Sequence, residues 1–164
     1  MHIALDCEMV GVGPGGWTSA LARVCIVNHT GNVLLDTHVA VEEPVTDFRT
    51  KYSGVRPADI ADAPSFADVQ ATVARLLQQR ILVGHALEND LQALKLTHPS
   101  RDTRDTALYP PLCTRRGTPR KLKTLAREVL GVQIQSGEHS PDEDARAALY
   151  IYRFLAHKWE ASLV

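Results

Sequence analysis

Two acids, Asp6 and Glu8, stand at alternate positions near the start of the chain, in the apolar run that opens Ile3-Ala4-Leu5. In an extended strand, side chains two apart leave the same face, so both carboxylates project together. Paired like this they repel, and the arrangement is stable only at a solvated edge or against a cation. Asp90 has Ala86, Leu87, Ala93 and Leu94 at its i±3 and i±4 positions, so on a helix it shares their apolar stripe. Asp144 repeats the pattern with Ala148, Ile151, Tyr152 and Leu155, whereas Asp142 and Glu143 fall on the side where surface acids belong. Each acid singly has an ordinary reading as a cap, a surface charge or an ion pair. The four together do not.

Four carboxylates carry −4, which two divalent cations balance, and oxygen ligands suit hard ions such as Mg²⁺ or Mn²⁺. Two such ions about 3.5–4 Å apart clamp the attacking and leaving oxygens of a phosphodiester displacement. His139 lies five residues before Asp144, just ahead of a helix start, which puts an imidazole at the mouth of the site that Asp144 faces. Neutral near pH 7, it is placed to act as the general base that takes a proton from water. His85 more simply orders the turn after Gly84. Thiolate-held zinc is not expected, because Cys7 alternates to the face opposite Asp6 and Glu8. Cys7, Cys25 and Cys113 form neither an even disulfide set nor a Cys-x-x-Cys pair, and are expected to be reduced and structural.

These residues need a scaffold that mixes strands and helices. A first strand is expected over Ile3 to Met9. The runs Arg23–Val27 and Val33–Val39, separated by Asn28 to Asn32 with Gly31, predict a hairpin. Gly11 to Gly16 lacks the order of a phosphate loop and is expected to be a flexible connection. Helical spacing runs from Ser65, an N-cap, to Gln79. A short buried strand follows at Ile81–Gly84, then helices over Ala86–Leu96 and Lys121–Leu130, the latter closed by Gly131. Ser140-Pro141-Asp142-Glu143 predicts the start of the last helix with a capping box. Tyr109 to Arg120 is the expected mobile loop.

With 164 residues, 45% of them hydrophobic, the chain fits one globular domain over residues 1–164. No apolar run is long enough for a membrane span, and no leader is visible, so a soluble intracellular protein is expected. The net charge of −1 argues weakly against a polyanionic partner. If four of the 19 acids serve metal ions, however, the remaining surface is positive against 18 Lys and Arg. Arg101, Arg104, Arg115, Arg116, Arg120, Lys121, Lys123 and Arg127 face only Asp102 and Asp105 in that stretch, either as strand electrostatics for nucleic acid or as a solvated helix and loop.

Asp6-x-Glu8, Gly84-His85 followed by Asp90, and His139-x-x-x-x-Asp144, in this order, resemble the DEDDh exonuclease superfamily across nearly the whole chain. Asp6-Cys7-Glu8-Met9-Val10-Gly11, Tyr52-Ser53-Gly54-Val55, Arg104-Asp105-Thr106, and Glu138-His139-Ser140 followed by Glu143-Asp144-Ala145-Arg146 are similar to its eukaryotic RNA exonuclease 4-like subgroup, associated with ribosomal RNA processing. The resemblance implies an α/β, ribonuclease-H-like fold with a five-stranded mixed sheet flanked by helices. It implies an enzyme that uses Mg²⁺ or Mn²⁺ to release 5′-mononucleotides from the 3′ end of single-stranded nucleic acid, RNA in preference to DNA, in the nucleus or nucleolus; a monomer is expected. By the same resemblance Asp6 would bridge two metals, Glu8 and Asp144 would hold the nucleophile-side ion, and Asp90 would anchor the other. Met9 would lie beside the 3′-terminal nucleotide. Leu91 departs from the aromatic that relatives often place after the third carboxylate. Arg49 is either a ribose or phosphate contact or an ion-pair partner of Asp47 or a neighbour. The competing readings are a DNA-directed 3′ exonuclease, a nucleic-acid-binding module without turnover, and a phosphatase or nucleotidase.

Overall fold

The computed structural model describes residues 1–163. In chain order the elements are β1 (His2–Val12), β2 (Thr18–Asn28), β3 (Val33–His38), β4 (Val45–Asp47), α1 (Thr50–Ser53), α2 (Pro57–Ala61), α3 (Phe66–Leu77), β5 (Ile81–Gly84), α4 (Leu87–Leu94), β6 (Thr103–Asp105), α5 (Leu122–Leu125) and α6 (Pro141–Ala161). Helix α5 runs straight into a π-wound turn, Ala126–Leu130, which ends on Gly131 in the left-handed region at φ 70°.

The sheet is mixed, in the order β3-β2-β1-β5-β6, with β4 attached to β1 outside that path. β1, β2 and β3 pair antiparallel, while β5 joins β1 and β6 in parallel. The expected five strands are thus six: β4 is too short for its alternation to stand out in sequence, and it pairs with only Gly11 and Val12. Gly11 and Val12 themselves belong to β1, not to a flexible connection, and the turn into β2 is one tight 3-10 turn, Pro14–Gly16.

Alternation along β1 sends successive side chains to opposite faces. Ala4 packs with Cys25, Val27 and Val83 against α6, through Ala145, Ala148, Leu149, Ile151 and Tyr152. Ile3, Leu5 and Cys7 join Val69, Val73 and Leu77 of α3 and Leu87 and Leu94 of α4. The sheet is therefore a middle layer between α5–α6 on one side and α3–α4 on the other. Ser65 caps α3 as expected, its side chain accepting from the Asp68 N–H. Ser140 precedes α6 but does not cap it. Its hydroxyl donates to the Asp142 carboxylate instead, and the Glu143 carboxylate accepts from the Gln135 N–H, so the capping box does not form. The stretch Tyr109 to Arg120 is anchored at its start, where Tyr109 stacks on Trp159 with ring centroids 3.9 Å apart and Leu112 is buried. Among the described residues no helix is long and apolar enough to cross a membrane.

Candidate active site

The cluster forms where β1 lacks a strand partner. β2 pairs along one edge of β1 from Ile3 to Val12. On the other edge β5 covers only His2 to Ala4 and β4 only Gly11 and Val12, so Leu5 to Val10 face a gap. β5 stops at Gly84, where an added Cβ would press on Leu87 and lie 3.1 Å from the Leu5 carbonyl oxygen. The chain then turns through Ala86 at φ 56° into α4. The start of α4 is held from outside by Asp105 at the end of β6. Its carboxylate accepts the N–H groups of Ala86 and Leu87 at 2.8 Å each and of Ala107 at 2.9 Å.

Asp90, in the first turn of α4, uses the gap directly. Its Oδ1 accepts the Cys7 N–H at 2.8 Å, a donor that a strand partner would otherwise have taken. Asp6 and Glu8 share the sheet face that looks toward α6, and Asp144 enters from the first turn of α6, where a helix N-terminus favours negative charge. Ligand atoms of Glu8, His139 and Asp144 lie within 4.8 Å of one another, with His139 Nδ1 3.7 Å from Asp144 Oδ2. The Asp144 carboxylate also receives the Gln135 side-chain amide, 3.1 Å from each oxygen. The five residues line one cleft of about 920 Å³ with Met9, Lys51, Tyr52, His85, Asn89, Lys121, Lys123, Gln135 and Glu138.

His139 lies on an irregular loop that is tied down at two points. Its N–H donates to the Tyr52 carbonyl at 2.8 Å, and the Glu138 carboxylate takes a two-pronged contact from the Arg56 guanidinium at 2.6 and 3.1 Å. Burial, reinforced by Lys123, holds the imidazole below its ordinary pKa, so it is neutral at pH 7.

The acids are crowded and uncompensated. Glu8, Asp90 and Asp144 are buried and Asp6 is partly exposed. Burial, and then Asp90, Asp144 and Glu8, push Asp6 well above the usual carboxylate range. Burial, then Asp144 and Asp90, raise Glu8 to about 8 against the opposing pull of Arg23. Burial lifts Asp90 to about 7 against its Cys7 hydrogen bond, and Asp144 to about 6 against the Gln135 amide. No Lys or Arg among the described residues forms an ion pair with any of them. Clustered oxygen donors with no cation of their own are a donor set suited to hard divalent ions.

That crowding has a sign that can be measured. A folded pKa above its unfolded value means that protonation favours the fold. The stabilisation is complete below the unfolded pKa and is lost as pH rises through the folded one, which for Glu8 is about 8. His2, His85 and His139 are all lowered by burial, so their titration lies on the acid side of that pH. In EDTA, Tm is expected to fall by about 3 °C or more between about pH 7 and about pH 9. A flat or rising Tm in scanning calorimetry over that window would contradict an uncompensated acid cluster.

The structure does not bring Arg49 to the cleft. Its guanidinium donates to the Gly16 carbonyl at 2.8 Å and the Ser19 hydroxyl at 2.9 Å, bracing the β1–β2 turn, while its own N–H reaches the Asp47 carboxylate at 2.8 Å. Met9 does line the cleft. His85 orders its turn as expected, its ring nitrogen 2.9 Å from the Thr106 hydroxyl. The basic stretch divides: Arg104 pairs with Glu160 at 2.7 Å and Arg120 with Glu128, whereas Lys121 and Lys123 face the cleft. Gln135 and Asn89 carried no periodic signal in the sequence. Lys51 gave none either, whereas Tyr52 stands out only as part of the Tyr52-Ser53-Gly54-Val55 motif, with no role attached.

Residues 3–152 match the exonuclease family RNase_T. The chain is 52% identical over 163 residues to RNA exonuclease 4 of Cryptococcus neoformans var. neoformans, covering 99% of this chain and 40% of that protein. It is 47% identical over 162 residues to RNA exonuclease 4 of Mus musculus, covering 98% and 37%. It thus spans less than half the length of these relatives. Among solved structures it resembles the Saccharomyces cerevisiae Pan2 pseudoubiquitin hydrolase–RNA exonuclease module in complex with A7 RNA. There the TM-score is 0.84 and the identity 29%, over 98% of this chain and 30% of that one. The matched segment contains both walls of the gap in β1, with every acid that faces it, and the chain accordingly belongs to the RNase_T exonuclease family.

Proposed function

We propose that this chain is a 3′-to-5′ exoribonuclease that releases 5′-mononucleotides from single-stranded RNA, as a monomeric domain, in ribosomal RNA processing in the nucleus or nucleolus. The observation that carries the reading is the convergence of Asp6, Glu8, Asp90, Asp144 and the His139 imidazole on one open stretch of β1. The choice of RNA is supported by relatives named RNA exonuclease 4 and by a structural neighbour solved with RNA. Ribosomal RNA and the nuclear setting rest on the motifs similar to the RNA exonuclease 4-like subgroup.

Asp6, Glu8, Asp90 and Asp144 would hold two Mg²⁺ or Mn²⁺ ions, which when bound supply Lewis-acid stabilisation of the attacking and leaving oxygens. The rest falls to the chain's own groups. His139, neutral at pH 7, accepts the proton of the attacking water as its oxygen bonds to the last phosphorus. The bond from that phosphorus to the preceding 3′ oxygen breaks, which frees a 5′-mononucleotide and leaves a new 3′ hydroxyl once that oxygen takes a proton from solvent. Lys51, Lys121 and Lys123 offer positive charge along the cleft to the strand phosphates, and Met9 packs beside the terminal nucleotide.

The test is a 5′-labelled single-stranded RNA and the matching DNA, incubated with Mn²⁺, Mg²⁺ or EDTA. A ladder that shortens from the 3′ end, faster on RNA and absent in EDTA, is expected. His139→Ala should slow it by about 100- to 10,000-fold, the usual worth of a positioned base. Faster DNA shortening would reassign the substrate, and no shortening of either strand would leave a binding module as the better account.

A further inference from the structure

Residues 131–140 carry no regular structure from Gly131 to the start of α6, yet Gln135 is fixed from three sides. Its backbone adopts φ 55°, a left-handed conformation that residues with side chains rarely take and keep only when their surroundings hold them there. Its N–H donates to Glu143 Oε2 at 3.2 Å, and its carbonyl accepts from Lys123 Nζ at 3.2 Å. The side-chain amide then meets Asp144, with Nε2 at 3.1 Å from both Oδ1 and Oδ2. Asp144 is only 3% exposed, and among the described residues no other side-chain or backbone group donates a hydrogen bond to its carboxylate.

A nitrogen shared equally by two oxygens fixes the rotation of the carboxylate. The chemical type matters too. A lysine or arginine in this place would cancel the charge of Asp144 and compete with an incoming cation. A primary amide donates while leaving the full negative charge available. On the reading that these acids hold divalent cations, we infer that Gln135 is a positioning residue. It sets the orientation of the Asp144 carboxylate before the cation arrives, so that the affinity for the cation depends on the amide. The strained backbone is what delivers the amide to that place.

The inference is tested by Mn²⁺ binding in titration calorimetry without RNA, with melting in EDTA as the folding control. Gln135→Met keeps the length of the side chain and removes its donors. Gln135→Gly removes the amide at a backbone position that glycine adopts freely, which protects folding if the Met variant does not fold. Both are expected to bind Mn²⁺ about 10- to 100-fold more weakly than the native chain, the range seen when a ligand loses its orienting partner. RNA shortening should need correspondingly more Mn²⁺ but return to within about threefold of the native rate at saturation. Native-like Mn²⁺ affinity in either folded variant would overturn the role of Gln135 while leaving the nuclease reading intact. Failure of the native chain itself to bind Mn²⁺ would overturn the divalent-cation reading, and this inference with it.

Discussion

Asp6→Asn is expected to slow RNA shortening by at least about 1,000-fold and, in EDTA, to melt at a higher temperature than the native chain. The two effects have one cause. Asp6 sits among Asp90, Asp144 and Glu8, and that crowding, on top of burial, drives its carboxyl far above the usual range. Asparagine keeps the shape and removes the charge, so the repulsion that strains the cation-free fold is relieved while the group proposed to join both ions is lost. Single-turnover rates at saturating Mn²⁺, together with melting in EDTA near pH 8, measure both. Activity within tenfold of native would sink the assignment of Asp6. A lower Tm would show that its charge is compensated by something other than a bound cation.

The largest effect on stability is expected outside the cleft, at Asp105. Its carboxylate is 8% exposed and satisfies three N–H groups, two of them at the start of α4, whose N-cap residue Ala86 offers no side-chain acceptor of its own. Asp105→Ala would leave those donors unpaired in a buried place, at about 1–3 kcal/mol for each one that water cannot reach. A net loss of about 3–5 kcal/mol follows, a large share of the total stability of a chain this size. Urea denaturation should show the midpoint falling sharply with an unchanged m-value. A loss below about 1 kcal/mol would mean that α4 is held by its apolar face alone.

Much of the cluster was legible before any coordinates because it obeys two periods. The two-residue alternation of a strand put Asp6 and Glu8 on one face and Cys7 on the other, and the structure follows it: Cys7 packs with Leu5 and Leu87, beside Asp90, which reaches the strand from α4. The helical repeat put Asp90 and Asp144 on apolar stripes, and both are buried. What was not legible has no period. β4 is three residues long, so no alternation can accumulate. Ser140 and Glu143 match a capping box letter for letter, but Asp142 and Gln135 compete for the same groups and win. Arg49 has the chemistry of a phosphate contact, but Gly16 and Ser19 on the turn it braces lie thirty or more residues earlier, a contact no local pattern records. Gln135 is hidden for the same reason, a polar residue in a loop whose importance lies in what folds against it.

The acids come from three layers: Asp6 and Glu8 from the sheet, Asp90 from the helices on one face, and Asp144 from the helix on the other. During synthesis β1 and α4 leave the ribosome before α6, so a nascent chain without α6 holds three of the four acids, Asp6, Glu8 and Asp90, and lacks Asp144 and the adjoining His139. If catalysis needs both of them, as proposed, a nuclease assembled in this way gains activity only once α6 has docked across the finished sheet. Cleavage would then report completed folding, and a copy that loses α6 would be switched off instead of left indiscriminate.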